Sequence, residues 1–121
     1  MNEPDPLPRD FKLDRFLIEG TIGPTGFGRL YKATDTQSNE VVALNVLAPR
    51  RRGPKDVRRF QLAFRLAFDA NHGRVHEYVE WEGIPFAVLT YSPDPRKVVD
   101  LSKEMTRTTP TKGRWRGPLV R

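Results

Sequence analysis

Residues 22–45, IGPTGFGRLYKATDTQSNEVVALN, hold the stretch of this chain best suited to chemistry. Gly23, Gly26 and Gly28 fall close together, a spacing that lets a turn offer backbone N–H groups to a phosphate. An apolar run then closes on Asn45, where a phosphate cradle of this layout would place a lysine. An amide carries no charge, so the stretch offers a phosphate backbone contacts without the cation that holds it. Other reactive side chains are sparse. His72 and His76 have no cysteine or acidic companion at ligand spacing and read as turn and strand residues, so no metal is expected. Thr106, Thr108, Thr109 and Thr111 sit among basic residues as phosphate acceptors in a solvated tail. Arg50, Arg51 and Arg52 read as an exposed loop, and Trp81 as a packing residue of a hairpin.

Composition bounds what can position these residues. A chain of 121 residues allows one domain of modest core and a tail. No apolar run approaches the roughly 20 residues that span a bilayer. The acidic, proline-rich start MNEPDPLPRD resembles neither a secretory signal nor a basic transit peptide. The absence of cysteine removes disulfide and thiolate chemistry and suits a reducing cytoplasm. Net charge is +6, and its location matters more than its size. Residues 1–95 carry 13 basic and 13 acidic side chains; residues 96–121 carry 8 and 2. The body is balanced and the whole surplus lies in the tail, which argues against a nucleic-acid-binding body and leaves the tail to meet an anionic partner.

The chain reads as a lead-in over 1–13, a folded domain over 14–93 and a basic, largely disordered tail over 94–121. FLIEGTI from Phe16 is a strand. GRLYKAT alternates as a second, DTQSN is turn chemistry, and EVVALNVLA is a third, largely buried strand. DVRRFQLAFRLAF predicts a helix with Asp56 in its first turn and Val57, Phe60, Ala63, Phe64, Ala67 and Phe68 on one face. Leu62 and Leu66 form a second apolar stripe that one-sided packing does not explain. RVHEYVEWEGIPFAVLTY is a hairpin turning at Glu82-Gly83, SPDP stops regular structure, and VVDLSKEM gives at best one or two helical turns. The expected fold is α+β: a five-stranded antiparallel sheet with one main helix and disordered ends.

The order of these elements resembles the small lobe of a protein kinase, most closely a bacterial Ser/Thr kinase of the eukaryotic type. Gly23 to Leu30 resembles the glycine-rich loop G-x-G-x-F-G-x-V, with Thr25 at the second glycine. Val42-Ala43-Leu44-Asn45 stands where that family has V-A-I-K. Arg58-Arg59-Phe60 resembles the start of its helix C, His72 to Val75 a degraded His-Pro-Asn-Ile, and Phe86 to Tyr91 the last strand and hinge. A dinucleotide-binding loop would open a helix, whereas GRLYKAT is strand texture, and a Walker loop needs Gly-Lys-Ser/Thr. An ordinary hairpin with glycines is the remaining rival.

The resemblance implies that Ile22, Leu30, Ala43 and Leu89 flank adenine, that Gly23, Gly26, Gly28 and Asn45 face phosphates, and that Tyr91 lies at the hinge. It also implies a deficit. The helix glutamate that pairs with the lysine falls at Ala63, so both halves of that ion pair are missing, and H-R-D and D-F-G do not occur after Tyr91. The expectation is a catalytically inactive, pseudokinase-like domain that binds ATP weakly at most, by its adenine. The alternatives are a non-catalytic protein-interaction module or a truncated fragment of a full-length Ser/Thr kinase. Apolar surface around Leu30, Leu89, Leu62 and Leu66 predicts a protein partner or self-association. If the tail is the anionic contact, binding of generic DNA by the full chain should weaken steeply with salt, and a chain ending at Pro95 should show none across the same series.

Overall fold

The computed structural model describes residues 7–70 and 73–108, the last five of these by backbone alone. His72, Thr109 and Thr111 lie outside the described residues, as do the side chains of Thr106 and Thr108. Six strands form one antiparallel sheet: β1 (Lys12–Leu13), β2 (Phe16–Pro24), β3 (Gly28–Asp35), β4 (Glu40–Leu47), β5 (Val75–Trp81) and β6 (Ile84–Thr90). Their order across the sheet is β1-β2-β3-β4-β6-β5. A single 3-10 turn (Pro49–Arg51) leads from β4 into α1 (Pro54–Ala70), and α2 (Pro95–Thr108) comes after β6. No helix among the described residues is long and apolar enough to cross a membrane.

The strands read from alternation are all present. The sixth, β1, lies inside the stretch read as lead-in, and its two residues are too few to show a period. It pairs with β2 through Lys12↔Leu17 and Leu13↔Phe16, across a turn in which Asp14 has φ 59°. The hairpin turn at Glu82-Gly83 is where the sequence puts it, with φ values of 49° and 79° that match the twist of the flanking strands. β4 and β6 are buried on both faces, which explains their nearly continuous apolar runs.

The sheet coils so that its distant strands converge. Arg15, in the turn just before β2, donates to Asp35 at 3.1 Å and to Glu77 of β5 at 2.6 Å. Phe16 meets Phe86 edge-on at 5.7 Å, and Phe11 meets Trp81 at 6.5 Å. The inside of this coil is a buried cluster of Leu13, Phe16, Ile18, Tyr31, Ala33, Val42, Leu44, Val46, Phe86 and Val88. Trp81 packs against it, as expected of a hairpin residue.

The other face is covered by both helices. From α1, Phe60, Ala63 and Ala67 are buried, while Val57 and Phe64 pack at the margin. Phe68, read as part of the same face, is 39% exposed at the end of the helix. Phe60 and Phe64 lie 5.8 and 5.9 Å from Tyr78 of β5. Burial and the neighbouring Glu80 carboxylate raise the Tyr78 pKa, so the phenol stays protonated and donates to Glu80 at 2.6 Å.

The second helix is the main departure from the sequence reading, which anticipated one principal helix. SPDP starts α2 rather than ending regular structure. Asp94 Oδ1 accepts from the Arg96 N–H at 3.1 Å, and Pro95 takes the first helical position, where a missing N–H costs nothing. Val98 and Leu101, one turn apart, are 1% and 8% exposed in the helix-covered core. Ser102 is buried too, its hydroxyl satisfied by the Val99 carbonyl at 2.7 Å.

Among the glycines, Gly28 alone of those in β2 and β3 meets a steric limit. A Cβ there would lie 2.0 Å from the Val46 carbonyl and 2.6 Å from the Ala48 nitrogen, both backbone atoms, whereas one at Gly20 or Gly23 would meet nothing within 4 Å. Gly28→Ala should therefore cost about 1–3 kcal/mol by overpacking, and Gly23→Ala less than about 0.5 kcal/mol. Denaturant unfolding of the two variants, compared by midpoint, measures the difference.

Candidate functional site

The residues expected to flank adenine are brought together. Leu30 lies on β3, Ala43 on β4 and Leu89 on β6; Ala43 pairs with Leu89 and Leu30 with Asn45. All three apolar side chains are 0% exposed. They belong to one buried cluster with Phe27, Phe60, Ala63, Val98 and Leu101. Ile22 and Tyr91 pack at its edge, and Lys32 Nζ lies 5.3 Å over the Tyr91 ring. The surface expected to be open around Leu30 and Leu89 is thus buried, in a cluster to which α2, packed on α1 and β6, contributes Val98 and Leu101. Burying side chains of the size of Val98 and Leu101 stabilises by about 1.5–3 kcal/mol each, which gives α2 a reason to stay. Leu62 and Leu66 are half-buried.

The glycine turn is closed upon itself. The Thr25 hydroxyl accepts from the backbone N–H of Phe27 at 3.2 Å and of Gly28 at 2.9 Å. It donates to Asn45 Oδ1 at 3.0 Å. A hydroxyl has one proton and two lone pairs, and all three are used here. Two N–H groups that a phosphate cradle would present are therefore occupied by a side chain of the same loop. The Thr25 N–H itself goes to the Gly28 carbonyl at 2.9 Å. Gly23 sits in a strand pair with Leu30, and the Gly26 carbonyl accepts from Arg51 at 2.8 Å.

Phe27 closes the turn from below. It is 7% exposed, with its ring 5.1 Å from Phe60. Asn45 is 0% exposed and sits in the same strand pairing as Leu30 and Ala87. Ala63, at the position implied for the glutamate, is also 0% exposed. An ammonium at residue 45 would need a carboxylate to offset its loss of water, and Ala63 cannot supply one. A neutral amide tied to a threonine satisfies the same place. Among the described residues, no group of three or more His, Asp or Glu side chains is arranged to hold a metal.

Sequence reasoning missed three participants: Thr25 as the clasp of the turn, and Val98 and Leu101 as its cover. The i, i+3 spacing of the last two behind Asp94-Pro95 was the available signal. The clasp can be tested alone. Thr25→Val keeps the shape and removes the hydroxyl, leaving N–H groups and a buried amide oxygen without it. It should cost about 2–3 kcal/mol, while Thr25→Ser should cost under about 1 kcal/mol. Urea unfolding of the pair checks the ranking.

Likeness to known proteins lies in the fold. No family model matches the chain. No curated protein matches it. Solved structures do. The Mycobacterium tuberculosis PknI kinase domain is 22% identical with a TM-score of 0.56, covering 71% of this chain and 36% of that one. A point mutant of the same domain gives a TM-score of 0.59 over 74% and 38% of the two chains. The PF14_0431 kinase domain gives 0.63 at 13% identity, over 71% and 27%. The chain spans a little over a third of the PknI kinase domain and about a quarter of the other. The likeness to these structures is one of fold. This chain has the fold of the small, N-terminal lobe of a protein kinase.

Proposed function

We propose that this chain is a non-catalytic, protein-kinase-like small-lobe domain whose nucleotide face has become hydrophobic core, leaving it to act through surface contacts. The observation that carries this reading is the complete burial of Leu30, Ala43 and Leu89 in one cluster with Val98 and Leu101 of α2. An adenine ring would have to displace a helix to reach them. The phosphate end supports the same reading: Thr25 occupies the N–H groups of Phe27 and Gly28, and Asn45 and Ala63 replace the charged pair. On this reading ATP does not fit the residues present. The sequence also contains neither H-R-D nor D-F-G, the elements that supply base and metal in phosphoryl transfer.

Where the family resemblance implies weak, adenine-led ATP binding, we expect none. Purified full chain should show no phosphate transfer to itself or to a basic peptide. Neither adenosine nor ATP with magnesium should raise its melting temperature, because a ligand stabilises only the state that binds it. Val98→Asp tests the cover directly. A carboxylate in the cluster should destabilise by about 3 kcal/mol and release α2, raising the fluorescence of a hydrophobic dye. Saturable adenosine binding by the unaltered chain would overturn the reading.

A further inference from the structure

A cavity of about 210 Å³ lies between the glycine turn and the Pro49–Arg51 turn. Its wall runs over residues 24–29 and 46–52, with Leu7 and Tyr31. Among the described residues, Arg29, Arg50, Arg51 and Arg52 line it, and no aspartate or glutamate does. It shares the glycine turn with the closed nucleotide face and extends to the other side of the sheet. Tyr31 and Val46 belong to the cluster on the opposite side of the sheet from Leu30 and Ala43, as the alternation of β3 and β4 requires.

Two of these guanidiniums are held in place by backbone. Arg52 donates through Nε and Nη2 to the Leu47 carbonyl at 3.1 and 2.7 Å. Arg51 donates through Nη1 to the Gly26 carbonyl at 2.8 Å, clamping the turn from the far side. Carbonyls fix their geometry and leave their charge uncompensated: among the described residues neither is ion-paired with a carboxylate. Arg52 is half-buried, and that burial works against its charge. The reading of residues 50–52 as an exposed loop therefore holds for Arg50 and Arg51 and fails for Arg52, whose stem folds back on β4.

We propose that this cavity binds one phosphate monoester group, gripped by Arg51 and Arg52 with Arg29 at the rim. Charge selects an anion, and the planar forks of two fixed guanidiniums match the oxygens of a tetrahedral dianion. Size selects a single group, since the cavity is smaller than the roughly 300 Å³ at which pockets begin to hold drug-sized ligands. A phosphorylated serine or threonine side chain and free inorganic phosphate share this chemistry. The site shares Thr25, Phe27 and Gly28 with the closed turn, but the guanidiniums that grip the anion, Arg29, Arg51 and Arg52, take no part in the Thr25 hydrogen bonds that close it.

The test is a titration of the full chain, monitored by backbone amide NMR at constant ionic strength. The probes are inorganic phosphate, a phosphoserine peptide and the same peptide unphosphorylated. Phosphate and phosphopeptide should shift the amides of residues 26–28 and 51–53 saturably, leave Leu89 unmoved, and the unphosphorylated peptide should do nothing. Tighter binding of the phosphopeptide identifies a side chain as the source, and equal binding identifies the free anion. Arg51→Ala, at an exposed position, should weaken binding about tenfold or more through loss of a charge-assisted contact. Arg52→Lys should weaken it comparably, because a point charge does not replace the fork. Shifts confined to residues 96–121, no saturation, or equal affinity in Arg51→Ala would overturn the proposal.

Discussion

The apolar face formed by Leu30, Ala43, Ala87 and Leu89 sets the terms for the rest of this molecule, because it must be hidden from water. In a two-layer arrangement, the face of a sheet needs a second element to cover it. α1 covers the side near β5 through Phe60, Ala63 and Ala67. α2 packs on α1 and β6 and adds Val98 and Leu101 to the same cluster. Once that face is filled, there is no ledge on which a flat aromatic ligand can stack. The proposed lack of nucleotide chemistry then rests on packing as much as on the missing charges.

The charge deletions and the packing agree with one another. Removing only the lysine would leave a buried carboxylate, and removing only the glutamate a buried ammonium; either is costly. Asn45 and Ala63 remove both at once. Thr25 then completes the change, because its hydroxyl saturates N–H groups that would otherwise want an anion and gives the buried Asn45 oxygen a donor. Phe27, tucked against Phe60, occupies the space beneath. A loop that keeps its glycines can thus satisfy its own N–H groups by hydrogen bonding to itself. Gly28 stays necessary for a different reason: β3 and β4 approach too closely there for any side chain.

The same loop faces two ways. Toward the helices it is closed and apolar. Toward the Pro49–Arg51 turn it helps form a cavity whose guanidiniums are oriented by the carbonyls of Leu47 and Gly26. Carbonyl partners are well suited to this, since they position a cation without neutralising it.

Much of the fold was legible because strands and the first helix are written in local periods. The alternation of GRLYKAT, the Glu82-Gly83 turn and the Phe60-Ala63-Ala67 stripe need no partner to be read. The absence of a cation at Asn45 and of a carboxylate at Ala63 is likewise a matter of sequence alone, and it carries the chemistry as far as composition can. Tertiary structure decided the rest. β1 exists only as a partner of β2, so two residues by themselves give no sign of it. α2 owes its length and place to the sheet face that Val98 and Leu101 cover. SPDP is a stop signal or a helix cap depending on whether the residues after it find an apolar surface to cover. Thr25 is an ordinary turn residue until Asn45, distant in the chain, is brought to its hydroxyl. Local periodicity specifies elements, whereas burial, hydrogen-bond saturation and the pairing of charges are properties of neighbours that only the folded chain supplies.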